Sequence, residues 1–140
     1  AVKAGECVVV YPEGTITRDP DLWPMVGKTG AARIAMATGC PVIPIAQWGA
    51  QDLLAPYAKV PHLLPRPTMH IAAGPPVPLD DLLDAPATSD NLRIATDRVM
   101  ASITGLLEEL RGATAPEQRF DPRTAHVPTT GNPSKKHEDS

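Results

Sequence analysis

The chain has 140 residues, enough for one domain and too few for two. Its formal net charge of -3 excludes the basic stripe with which a nucleic-acid binder displaces counterions, and no apolar run approaches the roughly 18–20 residues that cross a bilayer. Aromatics make up 4% and prolines number 17, so the core must rest on Val, Ile, Leu, Met and Ala between frequent breaks.

In chain order, Val2-Lys3-Ala4-Gly5-Glu6 reads as the end of a helix and a turn, as though the chain starts inside a larger fold. No charged-then-apolar stretch resembling a signal peptide leads it. Cys7-Val8-Val9-Val10-Tyr11 is a β-branched run stopped by Pro12 and predicts a buried strand. Pro12-Glu13-Gly14-Thr15 makes a turn, and Asp19-Pro20-Asp21 continues a polar loop that Leu22, Trp23 and Met25 can pin down. Thr29 is placed to cap a helix from Gly30 to Thr38, which Gly39 ends. Its Ala31, Ala32, Ala35 and Ala37 allow close packing on a sheet.

Pro41-Val42-Ile43-Pro44-Ile45-Ala46 predicts a second strand, irregular or near an edge because Pro44 lacks a ladder donor. Strand, helix, strand in that order suggests a right-handed parallel crossover. Prolines 56, 61, 65 and 67 break the next stretch into loop, and Thr68-Met69-His70-Ile71-Ala72-Ala73 predicts a third strand. A long helix follows over Ser89–Arg111, with Leu92, Ala95, Val99, Ile103, Leu106 and Leu110 on one stripe and Gly112 as its stop. From Ala113 the chain is rich in Pro, Thr and Ser and predicts a disordered tail over 113–140. Cys7 and Cys40 have neither a second Cys nor a His at metal-ligand spacing, which points to buried free thiols in a reducing cytoplasm and to no metal.

Chemistry concentrates at Val10-Tyr11-Pro12-Glu13-Gly14-Thr15. A strand that ends at a Gly turn can aim its next amides outward from the sheet edge where α/β folds bind ligands. Those amides, the Thr15 hydroxyl, Arg18 and Lys28 can together hold a phosphate. Glu13 repels a phosphate, so its role would be to orient a cation or accept backbone amides. Spacing alone favours a plain turn with a solvated Glu, and it serves Lys28 equally as a phosphate ligand or as a solvated lysine at a helix start.

Tyr11-Pro12-Glu13-Gly14-Thr15 resembles the Phe-Pro-Glu-Gly-Thr-Arg block of lysophosphatidic acid acyltransferases. Gly27-Lys28-Thr29-Gly30-Ala31-Ala32-Arg33-Ile34-Ala35, Pro41-Val42-Ile43-Pro44-Ile45 and Ala73-Gly74-Pro75-Pro76-Val77 are similar to the segments that follow in that family, in the same order. The resemblance covers roughly residues 5–111. It implies an α/β, glycerolipid acyltransferase-like fold in part, with a mostly parallel sheet and flanking helices. Residues 1–112 would be the C-terminal portion of the acyltransferase domain.

What the resemblance implies for function is transfer of a fatty acyl group from acyl-CoA or acyl carrier protein to the free hydroxyl of 1-acylglycerol 3-phosphate, giving phosphatidic acid. The thioester is a co-substrate, and no cofactor is implied. The partners are the lipid substrate, the thioester and a membrane surface reached through the parent protein at the cytoplasmic face; no nucleic acid is among them. Glu13, Gly14 and Thr15 would inherit the acceptor-binding role, with Arg18 and Lys28 beside them. Ile16 stands where the family has Arg, which leaves Arg18 as the substitute through a longer turn. The family's base is the His of a His-x-x-x-x-Asp motif, and no His here has an Asp at that distance: His62 meets Pro67, His70 Pro75 and His126 Gly131, while too little chain follows His137. This portion alone is therefore expected to be nearly inactive. A non-catalytic α/β module that binds a phosphate or lipid headgroup is the alternative.

Three further signals carry less. Gly27-Lys28-Thr29 resembles the end of a P-loop, but Leu22 stands where that loop needs Gly. Trp23 reads as an anchor for its own loop, and Trp48 as a residue that can wall a site. No Gly-x-Ser-x-Gly exists to place a serine nucleophile.

Overall fold

A computed structural model describes residues 1–129 of the chain. After a single 3-10 turn at Val2–Ala4, the elements are α1 (Gly30–Thr38), β1 (Ile45–Trp48), α2 (Ala50–Leu53), β2 (His70–Ala73), α3 (Asp80–Leu83) and α4 (Ser89–Arg111). β1 and β2 pair antiparallel, with Ile45 opposite Ala73 and Trp48 opposite His70. The fold is mixed α/β, and among the described residues its sheet is two-stranded and antiparallel rather than mostly parallel.

The reason lies in where the hydrogen-bonding groups go. Cys7–Tyr11 joins no ladder among the described residues, and Val9 and Tyr11 are 76% and 75% exposed. Its expected partner is Pro41 to Ala46, where Pro41 and Pro44 offer no N–H. That segment gives its carbonyls to the returning chain: Val42 O accepts from Val77 N (2.9 Å) and Pro44 O from Gly74 N (3.0 Å). The regular strand starts only at Ile45, just past the second proline. The parallel crossover expected from strand, helix, strand order therefore does not form here. Cys7 is exposed and Cys40 half-buried, so neither free thiol is buried as expected.

The helices follow their local signals more closely. α4 begins after Thr88, whose Oγ1 accepts from Asn91 N at 3.2 Å, and ends at Gly112 in the left-handed region. α1 ends at Gly39 in the same way, but its N-cap Thr29 makes no side-chain cap bond. α4 crosses the inner face of the sheet and also packs on α1. One core cluster joins Ala32 and Ala35 of α1 to Leu92, Ala95 and Val99 of α4, with Val77, Leu79 and Leu82 closing it. The small alanines of α1, expected to pack on a sheet, instead let α1 approach α4 closely.

A second cluster joins Trp23, Ala46 and Leu107, with Trp48, Leu106 and Leu110 packed around it. Leu107, rather than Leu106 or Leu110, is the buried leucine at this end of α4. Arg98 of α4 makes a two-pronged ion pair with Asp81 and donates to Pro78 O (2.9 Å), fixing α3 to α4. The guanidinium holds the Asp81 carboxyl below its usual range.

Residues 113–129 form no helix or strand but run back across the molecule. Ala115 N donates to the Glu108 carboxylate (2.7 Å), and Phe120 O accepts from Val26 N (3.0 Å). These bonds are made by part of the stretch expected to be disordered; its residues 130–140 lie outside those described. Among the described residues no helix is long and apolar enough to cross a membrane, and no group of three or more His, Cys, Asp or Glu could hold a metal ion.

Candidate functional site

The loop between the Cys7–Tyr11 segment and α1 folds back on itself. Gly14 N donates to Tyr11 O (3.0 Å), closing a tight turn in which Gly14 takes φ 65. An L side chain resists that conformation, which is why Gly stands there. Lys28 N donates to Pro12 O (2.7 Å), so the far end of the loop returns to the turn. The Lys28 ammonium then lies over Gly14: a Cβ built on Gly14 would stand 3.0 Å from Lys28 Nζ. No ion pair holds that ammonium among the described residues.

Glu13 points into the loop. Its Oε2 accepts from Met25 N at 3.1 Å. Burial is the main cause that raises its pKa above the ordinary 4.5; the Met25 amide opposes this and the charge of Asp19 adds to it. Its carboxylate thus accepts a backbone amide, one of the two roles open to it in the sequence. Thr15 is half-buried beside Gly14.

Arg18 is placed differently. Its guanidinium lies 5.1 Å from the Tyr57 ring centroid, and its Nε donates to Pro128 O at 3.2 Å. Glu13, Gly14 and Lys28 are therefore brought together, while Arg18 is directed toward Tyr57 and the segment after α4.

Four residues that sequence reasoning did not assign to the site hold the loop in shape. Asp19, buried, accepts through Oδ1 from Asp21 N (2.9 Å) and Trp23 N (3.1 Å). Thr17 Oγ1 donates to Trp23 O (2.7 Å) and accepts from Asp19 N (3.2 Å). Within this net Leu22 adopts φ 61, a conformation non-glycine residues seldom take. Asp19-Pro20 was the available signal, since an Asp before Pro favours turn initiation. Gly27 lets the loop touch α4: a Cβ there would fall 2.8 Å from Met100 Cγ. Arg111 carried no local signal, because the indoles it lies against belong to distant segments.

Chemically, the loop offers the Lys28 ammonium, which makes no ion pair among the described residues, above a glycine turn, which suits a single anionic group. The carboxylates nearby, Glu13 and Asp19, are turned inward onto amides and do not oppose that charge directly. Trp23 is 6% exposed and anchors its loop as expected. Trp48 does not wall an open site; Arg111 lies on its ring.

A protein-family model described as acyltransferase matches residues 1–48, about a third of the chain, which includes the whole loop, α1 and β1. This supports the acyltransferase family and acyl transfer in general. No curated protein and no solved structure matches the chain.

Proposed function

We propose, from the acyltransferase match over residues 1–48, that the chain is the acceptor-binding part of an enzyme that acylates glycerol phosphates. The full-length protein carrying it would move a fatty acyl group from acyl-CoA or acyl carrier protein to the free hydroxyl of 1-acylglycerol 3-phosphate, yielding phosphatidic acid for phospholipid synthesis. The observation that carries this reading is the unpaired Lys28 ammonium folded over the Gly14 turn inside the matched stretch. Thr15 would offer its amide and hydroxyl as donors and Lys28 the charge, while Gly14, whose own N–H is bonded to Tyr11 O, and Glu13 shape the turn; Arg18 is turned toward Tyr57. The proton on the attacking hydroxyl would be taken by a His–Asp pair outside this chain. The acceptor lipid would be met at the cytoplasmic face of a membrane.

The test is formation of phosphatidic acid from palmitoyl-CoA and 1-acylglycerol 3-phosphate by the full-length protein. Lys28→Ala should lower transfer about tenfold, the worth of one charge-assisted hydrogen bond. Absence of transfer to any glycerol phosphate would refute the enzyme. The lack of a His-x-x-x-x-Asp motif in the sequence favours a second reading, a headgroup-binding module without catalysis. Lys28-dependent binding of glycerol 3-phosphate with no transfer would select it.

A further inference from the structure

Arg111 stands in the last turn of α4, and its guanidinium lies between two indoles, 3.9 Å from the Trp23 ring centroid and 4.0 Å from that of Trp48. Its Nη1 donates to Asp21 O at 3.0 Å. One planar cation thus joins three separate parts of the fold. Trp23 and Asp21 belong to the candidate loop, Trp48 ends β1, and Arg111 ends α4. A guanidinium stacks on aromatic faces and donates from its edge at the same time, which an ammonium cannot do with the same geometry.

The sandwich reaches the site through bonds already described. Trp23 is held on its backbone by Asp19 and Thr17, and two residues later Met25 donates to Glu13. Fixing the Trp23 ring therefore fixes the strand of loop against which the Glu13–Gly14 turn rests. A simpler account of Arg111 is favourable charge at the C-terminal end of a helix. That account requires neither contact with two indole rings nor a bond to Asp21 O.

We infer that Arg111 is a positioning residue: clamped between Trp23 and Trp48, it holds the 13–28 loop in the shape that keeps Gly14 and Lys28 together for an anionic headgroup. The inference rests on the headgroup reading for its ligand but not for its geometry. The native chain, Arg111→Met and Arg111→Lys are to be compared by amide hydrogen exchange and by titration with glycerol 3-phosphate, followed at the Gly14 and Thr15 amides. Arg111→Lys keeps the helix-end charge and loses the stacking plane.

Both variants should keep native exchange at Leu92 to Val99 of α4. The Trp23 and Met25 amides should exchange about tenfold faster, and glycerol 3-phosphate should bind about fivefold more weakly, as loss of the cation–π contact on the loop's own Trp23 implies. An Arg111→Lys variant with native exchange at Trp23 and Met25 and native binding overturns the inference. If Arg111→Met fails to fold, Arg111→Lys decides alone. If the native chain shows no shift at Gly14 and Thr15, the headgroup reading fails. Arg111 is then judged by exchange, where unchanged rates at Trp23 and Met25 also overturn it.

Discussion

Glu13 keeps its carboxylate inside the loop, and that choice has a pH signature. Its folded pKa is raised above 4.5, chiefly by burial, so the folded chain retains a proton where the unfolded chain has released it. The stability this contributes is full below about 4.5 and is lost as pH rises through the folded value. Glu13→Gln keeps an oxygen for the Met25 amide and removes the titration. The variant should therefore gain stability relative to the native chain as pH increases from 4 to 7, read from urea unfolding at each pH. Parallel curves for the two proteins would mean that the carboxyl is not buried as described. At Gly14, a valine would combine left-handed backbone with crowding of Lys28. Gly14→Val should lower stability by about 1–3 kcal/mol and, under the proposed function, cut phosphatidic acid formation; wild-type kinetics would remove Gly14 from the site.

At the scale of elements, α1 and α4 were legible because their limits are set within a few residues, whereas the single-turn α2 and α3 are too short to show a periodic pattern and were not legible. Thr88 accepts from Asn91, and Gly39 and Gly112 take left-handed conformations that stop α1 and α4 where the sequence places the breaks. Thr88→Ala should cost about 1 kcal/mol in thermal or denaturant unfolding. Ala35 is wholly buried where α1 meets α4, so Ala35→Leu should destabilise by about 1–3 kcal/mol through overpacking. Melting at the native temperature would mean the helices can separate cheaply. Strands were less legible. The valines at 8 to 10 favour an extended backbone, but a β-branched run does not say which segment it pairs with, or in which direction. Pro44 did signal an irregular strand, and the ladder begins one residue after it.

Across the whole molecule, the loop with its Gly turn was visible in the sequence, and what holds it was not. Arg111 and Asp21 are 90 residues apart, and no local pattern announces their bond. The outer face of the sheet was likewise unforeseen: Ile45 and Ile71 are 54% and 66% exposed, while Ala46 on the other face is buried against α4. An apolar face of this kind promotes self-association. Ile71→Lys should leave unfolding free energy within about 0.5 kcal/mol, as for an exposed site, and reduce particle size in light scattering at high protein concentration. A loss of several degrees in melting temperature would place Ile71 in the core instead.

The bond from Val26 N to Phe120 O makes the segment past α4 a strap over the loop rather than an appendage. A protease that nicks the chain shortly after Gly112 would spare every helix and both strands. It would nonetheless slacken the loop from behind and take away Pro128, on which Arg18 leans. Circular dichroism would then record an intact protein in which the grip on a headgroup, under the proposed function, had already weakened.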